Sequence, residues 1–252
     1  MMNYSISRIK KYNSLIFVFI LLNCPITSNA QILSRTNPED VGLSTTKLER
    51  MNALIQDHVD HGELPGAVTL IARHGKIAHF EAFGYTDIEA KQRMPQNGIF
   101  RIASMAKIFT TVAVMILYEE GHFSLNDPVS LYIPELADMK VVDWPNKRPQ
   151  DGPITTLPSE RPMTIRDLLR HTAGFTYGHD YFRLDKMYEE AGINPRCPIP
   201  WEGTLHEFVK EIAKLPLAYD PGTMWVYSYA TDILGYLIEV VTLMPLDLFL
   251  RE

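Results

Sequence analysis

The sequence predicts an α/β fold of the α+β type, with a helical region packed on a mixed α and β layer whose antiparallel sheet is incomplete. Three observations lead there. An amphipathic helix is followed at once by two strand-like runs. A strongly apolar helix opens near Ser104. Helical and loop patterning then fills the chain to Glu252, with no further strand-like run. With 252 residues, 46% of them hydrophobic and 21% charged, the chain can build one large domain or two small ones around a sizeable core.

Residues 1–30 read as a secretory signal. Arg8, Lys10 and Lys11 form a basic start, Leu15 to Leu22 an apolar stretch, and Ser28-Asn29-Ala30 a run of small residues with cleavage expected after Ala30. The apolar stretch is too short to span a bilayer comfortably, so no membrane span is expected after cleavage. Lipidation at Cys24 is disfavoured because Asn23 precedes it. The expectation is an exported protein, periplasmic or secreted. The signal carries three of the positive charges behind a formal net charge of −6, so the mature chain is more acidic still. An acidic chain without a basic stripe is a poor nucleic-acid binder. Cys24 and Cys197 are the only cysteines, which leaves one in the mature chain and no internal disulfide.

The elements follow in order. Ser44 to His61 reads as a helix with Leu48, Met51, Leu54, Ile55 and Val59 on one side, ended by Gly62 and Pro65. Gly66 to Arg73 and Ile77 to Phe83 read as two strands joined at His74-Gly75, and 84–97 as a polar connection. A helix spans 104–120 and stops at Gly121. A short helical turn follows Leu125-Asn126-Asp127-Pro128 and closes at Pro134. Residues 139–163 are rich in proline and charge and read as a long surface loop. Thr164 caps a short helix, Ile165 to Arg170. Residues 172–200 read as loop. Helices are expected over Thr204 to Leu215, Ser228 to Thr242 and from Leu246 on. One hairpin is marginal alone, so more strands are expected than this stretch supplies.

Ser104-Met105-Ala106-Lys107 carries the chemistry. Positions i and i+3 share a helix face, so hydroxyl and amine meet one turn apart at a helix N-terminus, where negative charge is favoured. With 11 serines and 11 lysines, chance supplies about half a Ser-x-x-Lys match, so the spacing alone is a weak signal. Ser7/Lys10 falls in the signal, and Ser44 serves better as a helix N-cap. Only Ser104/Lys107 follows an extended stretch and opens an apolar helix. Ser-x-x-Lys is the nucleophile motif of penicillin-binding proteins and related β-lactamases.

Further stretches extend the pattern: Pro65-Gly66-Ala67-Val68, Phe100 to Lys107, Gly121 to Val129, Thr164 to Phe175, Pro221 to Ser228 and Asp232-Ile233-Leu234-Gly235. By their order and spacing, over about residues 40–252, the chain resembles the serine β-lactamase-related family of class C β-lactamases, D-Ala-D-Ala carboxypeptidases and family esterases. The resemblance implies a β-lactamase/transpeptidase-like fold over 31–252, with helix and hairpin at about 44–84 and a helical region at about 104–252. It implies a serine hydrolase that forms an acyl-enzyme with a small-molecule ester, β-lactam or D-amino-acid peptide, using Ser104, Lys107 and Tyr227 and no metal or organic cofactor. The second family motif, Tyr-x-Asn, stands here as Tyr227-Ser228-Tyr229. Without the asparagine that holds a substrate amide, an esterase is at least as well supported as a β-lactamase or peptidase. The third motif, Lys-Thr-Gly or His-x-Gly on a strand, would lie downstream of Glu252, so the chain reads as C-terminally truncated, lacking strands and one oxyanion-hole amide.

Ser104 needs a base. Lys107, its pKa expected to fall by desolvation, is one candidate. Tyr227, as a phenolate beside an ammonium, is the other, and the pair is one coupled unit. The Ser104 N–H would serve the oxyanion, a contribution of about 3–4 kcal/mol per donor. His171 invites a Ser-His-Asp triad with Asp167 or Asp232, but no Gly-x-Ser-x-Gly elbow surrounds Ser104, and a loop-structuring role is favoured. His58 and His61 have a metal-ligand spacing, but no carboxylate–histidine cluster accompanies them, so a solvated face is favoured. Trp225 and Tyr229 either line the pocket or pack. The rival readings are a penicillin-binding sensor without turnover and an inactive truncated homologue. Oligomeric state is not legible.

Overall fold

The computed structural model describes residues 33–144, 154–177, 182–193 and 201–252. The signal, Cys24 and Cys197 lie outside the described residues. The chain forms two compact units, one up to Phe100 and one from Arg101 on.

The first unit is built on a hairpin. β2 (Gly66–Arg73) and β3 (Lys76–Asp87) run antiparallel, with a bulge at Ile71/Ala72. His74 and Gly75 both adopt left-handed φ, 51° and 70°, which matches the twist of a two-residue hairpin turn. β1 (Ser34–Arg35) pairs parallel with β3, and β4 (Gln92–Arg93) pairs antiparallel with its far end. The sheet is therefore four-stranded, and β3 continues to Asp87, past the expected end at Phe83. The reason is at Gly84: its φ is 68°, and a Cβ there would lie 2.4 Å from the Pro65 carbonyl oxygen, so only glycine lets the two strand ends pass this closely. α1 (Thr45–Asp60) packs beside β3. His58 and His61 pair with Glu63 and Asp57 on the exposed surface.

The second unit is mainly helical. A single 3-10 turn, Ala103–Met105, leads into α2 (Ala106–Glu119). One flank of α2, Thr110, Ala113, Val114 and Leu117, is buried at helical spacing. The opposite flank is also apolar, and Ile108, Phe109, Val112, Met115 and Ile116 are exposed. Two 3-10 turns, Val129–Leu131 and Pro134–Leu136, follow. α3 (Ile165–Leu169) starts on a complete capping box between Thr164 and Asp167. α5 (Leu205–Ile212) starts on a second box, Thr204 and Glu207. α6 (Ala230–Thr242) packs against α2, α3, α5 and the short α7 (Leu246–Phe249). Val114, Ile165, Leu168, Ile212, Ile233 and Leu237 form the centre of this core.

Two expectations are corrected here. The stretch 139–163 is not all loop: β5 (Lys140–Val142) pairs antiparallel with β6 (Thr156–Pro158), and Val141 bridges to Leu217. Val141 and Val142 are buried, so a few apolar residues inside a polar segment suffice when the partner strand is remote. Likewise 172–200 contains α4 (Phe182–Glu190), a mostly polar helix that buries Leu184 and Tyr188, one turn apart. Among the described residues no helix is long and apolar enough to cross a membrane.

Candidate active site

Ser104 lies in the 3-10 turn and Lys107 in the first turn of α2. Positions three apart across this junction share one face, which puts the hydroxyl and amine on one side. The residue before Ser104, Ala103, is held at φ 46°, a left-handed conformation uncommon for a residue with a Cβ. The strained turn thrusts Ser104 to the surface. As the second residue of the 3-10 turn, Ser104 has no acceptor within that turn for its N–H.

Tyr227 arrives from the loop between α5 and α6. Its hydroxyl donates to Ser104 Oγ at 2.8 Å. The Lys107 ammonium sits 5.0 Å from the Tyr227 ring centroid and donates to the hydroxyl of Tyr177 at 2.9 Å. The structure thus brings Ser104, Lys107 and Tyr227 together, although Tyr227 lies more than a hundred residues downstream of the other two.

The loop is held by a parallel set of backbone bonds from the segment after α3. Ala218 N–H donates to Gly174 O and Gly222 N–H to Thr172 O, both at 2.7 Å, and Val226 N–H donates to His171 O at 2.8 Å. Gly174 has φ 90°, and a Cβ there would lie 2.1 Å from the Tyr219 carbonyl oxygen, so the two segments can approach only with glycine at this point. Asp167, buried, anchors the same segment through a two-pronged bond to Arg161 and bonds from Thr164. Burial pushes its carboxyl up, but Arg161 and Thr164 outweigh this and hold it below the ordinary carboxylate value.

The electrostatics correct one expectation. Burial does push the Lys107 amine down, but the Tyr177 phenol, as hydrogen-bond and charge partner, and the Tyr227 phenol outweigh it, so the net pKa is raised. Lys107 is therefore a held cation rather than a ready neutral base. Asp232, in the first turn of α6, is close enough to feel that cation. Burial still dominates and raises its carboxyl above the ordinary value. The Ser-His-Asp triad is not formed: Asp167 is committed to Arg161, Ser104 pairs with Tyr227, and His171 Nδ1 meets Ser228.

Tyr177 is the residue that sequence reasoning missed. It lies two positions beyond the His171 to Phe175 stretch, in a segment read as loop, and only the tertiary fold turns it onto Lys107. Tyr229, left open between lining and packing, packs: its ring lies 4.3 Å from Tyr177 and 5.3 Å from Phe208, centroid to centroid, and burial raises its phenol. Trp225 is exposed and stacks on Tyr227 at 6.3 Å. A separate cavity of about 370 Å³ lies in the first unit, lined by Asn37, Asn52, His79 and Glu81 among others, and holds none of these groups. Among the described residues no cluster of three or more metal-ligating side chains occurs.

The profile of the beta-lactamase family matches residues 51–252. The chain belongs to that family. Esterase EstB of Burkholderia gladioli is 33% identical over 200 residues, covering 78% of this chain and 46% of EstB. A Salmonella typhimurium protein provisionally named D-alanyl-D-alanine carboxypeptidase is 30% identical over 229 residues, covering 87% of this chain and 48% of the relative. Among solved structures, EstCE1, described as a hydrolase with promiscuous acyltransferase activity, superposes with a TM-score of 0.64 at 31% identity, covering 81% of this chain and 49% of EstCE1. Simvastatin synthase LovD from Aspergillus terreus gives 0.62 at 25% identity, covering 82% and 52%. The chain spans about half the length of the curated relatives it matches. It is a member of the serine hydrolase superfamily with a β-lactamase/transpeptidase-like fold, as the motifs implied.

Proposed function

We propose that this chain carries the nucleophile and proton-transfer groups of an exported serine hydrolase that works through an acyl-enzyme. One observation carries the reading: the hydrogen bond of 2.8 Å between Tyr227 and Ser104, with the Lys107 cation over the tyrosine ring.

Ser104 Oγ attacks the substrate carbonyl and loses its proton along the line to the Tyr227 oxygen. For that step Tyr227 must be a phenolate. The neighbouring Lys107 amine, whose pKa is raised, stays charged and places a positive charge beside that oxygen during the transfer. The negative oxygen that develops on the carbonyl faces the Ser104 N–H. Tyr227 then returns the proton to the leaving alcohol or amine, and the same pair prepares water for release of the acyl group. Serine ester formation and hydrolysis balance without a redox partner.

An ester is the substrate favoured over a β-lactam or a D-amino-acid peptide. Tyr229 stands where the family asparagine would hold a substrate amide, and it is turned into the Tyr177–Phe208 packing instead. The esterase name of EstB points the same way. The test is mass spectrometry after reaction with a fluorophosphonate, on the chain as it stands and on Ser104→Ala. A single adduct on the Ser104 peptide, absent from the variant, is expected. No adduct, or one that persists in Ser104→Ala, overturns the assignment.

A further inference from the structure

We infer that His171 is the positioning residue for the general base: it clamps the backbone on both sides of Tyr227 and releases one side when it is protonated. Two contacts place it there. The N–H of Val226 donates to the His171 carbonyl oxygen at 2.8 Å, and the N–H of Ser228 donates to His171 Nδ1 at 3.3 Å. These residues flank Tyr227 directly, so a single residue fixes the peptide units before and after the phenol. The imidazole also lies 5.0 Å from the Tyr227 ring, centroid to centroid, and 6.3 Å from Trp225. Ser228 is buried, so its amide has little access to replacement water.

The clamp requires an unusual backbone. His171 sits at φ 54°, directly after the cap of α3, and only that turn lets its carbonyl and its ring face the same strip of chain. The contact also fixes the tautomer: Nδ1 accepts, so the proton is on Nε2. A second proton on Nδ1 would remove the acceptor and set two donors against each other at the Ser228 amide, leaving Nδ1–H only the Ser228 hydroxyl, 3.5 Å away, to donate to. The titratable groups that face the ring are Lys107 from α2 and Tyr227 from the loop. On its own segment, Asp167 is held by Arg161. Burial, and then the Lys107 cation, push the imidazole below its ordinary pKa of 6.5. The clamp is therefore closed at neutral pH and opens only as pH falls below the ordinary histidine range.

The catalytic consequence rests on the acyl-transfer reading, but the clamp itself can be tested without it. In the ¹⁵N-labelled chain, the Ser228 amide signal is followed from pH 8 to pH 4 beside the His171 ring signals. The two are expected to titrate with one midpoint, below 6.5. In His171→Asn, whose Oδ1 takes the place of Nδ1 and whose backbone tolerates left-handed φ, the Ser228 amide stays in the bonded position and does not titrate. In His171→Gln, which carries its acceptor one bond too far out, the signal moves as in the protonated wild type. Fluorophosphonate labelling of Ser104 at pH 7 should then fall about 10–100-fold in His171→Gln and stay within about threefold of wild type in His171→Asn, with the acid limb of its pH profile gone. A Ser228 amide indifferent to His171 protonation overturns the clamp. So does equal loss of labelling in the asparagine and glutamine variants. If the wild type is not labelled at all, the acyl-transfer reading is what fails, and the amide titration still decides the clamp.

Discussion

The two flanks of α2 are unequal, and the inequality divides the site. On one flank Thr110, Ala113, Val114 and Leu117 close onto a core shared with α6. On the other, Ile108, Phe109, Val112, Met115 and Ile116 stand exposed, although a helix apolar all round is the pattern of one covered on every side. The side chains gathered around Ser104 and Lys107 belong to the closed flank's surroundings. Tyr227, Tyr177, Asp232 and His171 are all delivered by segments that the core fixes. Among the described residues the open flank has no comparable packing. The side chains around Ser104 are thus braced within the second unit, whereas the outer face of α2 is exposed.

This comparison can be broken at several points. The largest effect is expected at the reacting end. Tyr227→Phe keeps the ring packing and removes the hydroxyl, so fluorophosphonate labelling of Ser104 should fall about 10²–10⁴-fold with little change in the thermal midpoint. Next comes the closed flank's partner. Ile233 is fully buried on α6, and Ile233→Ala should cost about 2–5 kcal/mol in a urea titration. A loss below about 1 kcal/mol would show the core to be loose.

Third is the brace beneath the tyrosine loop. Arg161→Ala leaves Asp167 buried without its guanidinium. Because Arg161 is itself well exposed, about 1–2 kcal/mol is expected rather than the cost of a fully buried pair. The pH sign follows from the lowered carboxyl. Folding is stabilised by Asp167 above the ordinary carboxylate value of 3.8, and that part is lost as pH falls through the lower folded value. In Arg161→Ala the acid loss should begin at a higher pH than in wild type. The smallest effect is expected on the open flank. Phe109→Ser should change stability by less than about 0.5 kcal/mol while reducing self-association in sedimentation. A large loss there would mean that the outer flank is packed after all.

How much of this was legible in the sequence depends on the range of the contacts that decide each element. α1, the β2–β3 hairpin with its His74-Gly75 turn, α2 and α6 carry their own periodicity, and α5 adds a capping box at Thr204 and Glu207. Ser104 and Lys107 are related by helical spacing, so a local rule sufficed. Tyr227 could be named only through the family stretch Pro221 to Ser228, because nothing local ties it to Ser104. The missed elements are those stabilised from far away. β5 is three residues long and relies on β6 and Leu217. α4 is mostly polar and buries Leu184 and Tyr188. Tyr177 belongs to the same class, since its bond to Lys107 spans 70 positions. The reversed direction of the Lys107 shift has the same origin: burial is readable from apolar neighbours in the chain, but the Tyr177 phenol, which leads the opposing contributions, is not.

The central claim is that the amine of Lys107 and the phenol of Tyr227 act on Ser104 as one unit. The direct measurement is the rate of fluorophosphonate labelling of Ser104 in wild type, Lys107→Met, Tyr227→Phe and the double variant, at equal folded fraction. Groups that share one proton network lose their function together, so the double variant should be within about threefold of the slower single variant. If the two losses instead multiply, the side chains act independently, and the coupled base is wrong.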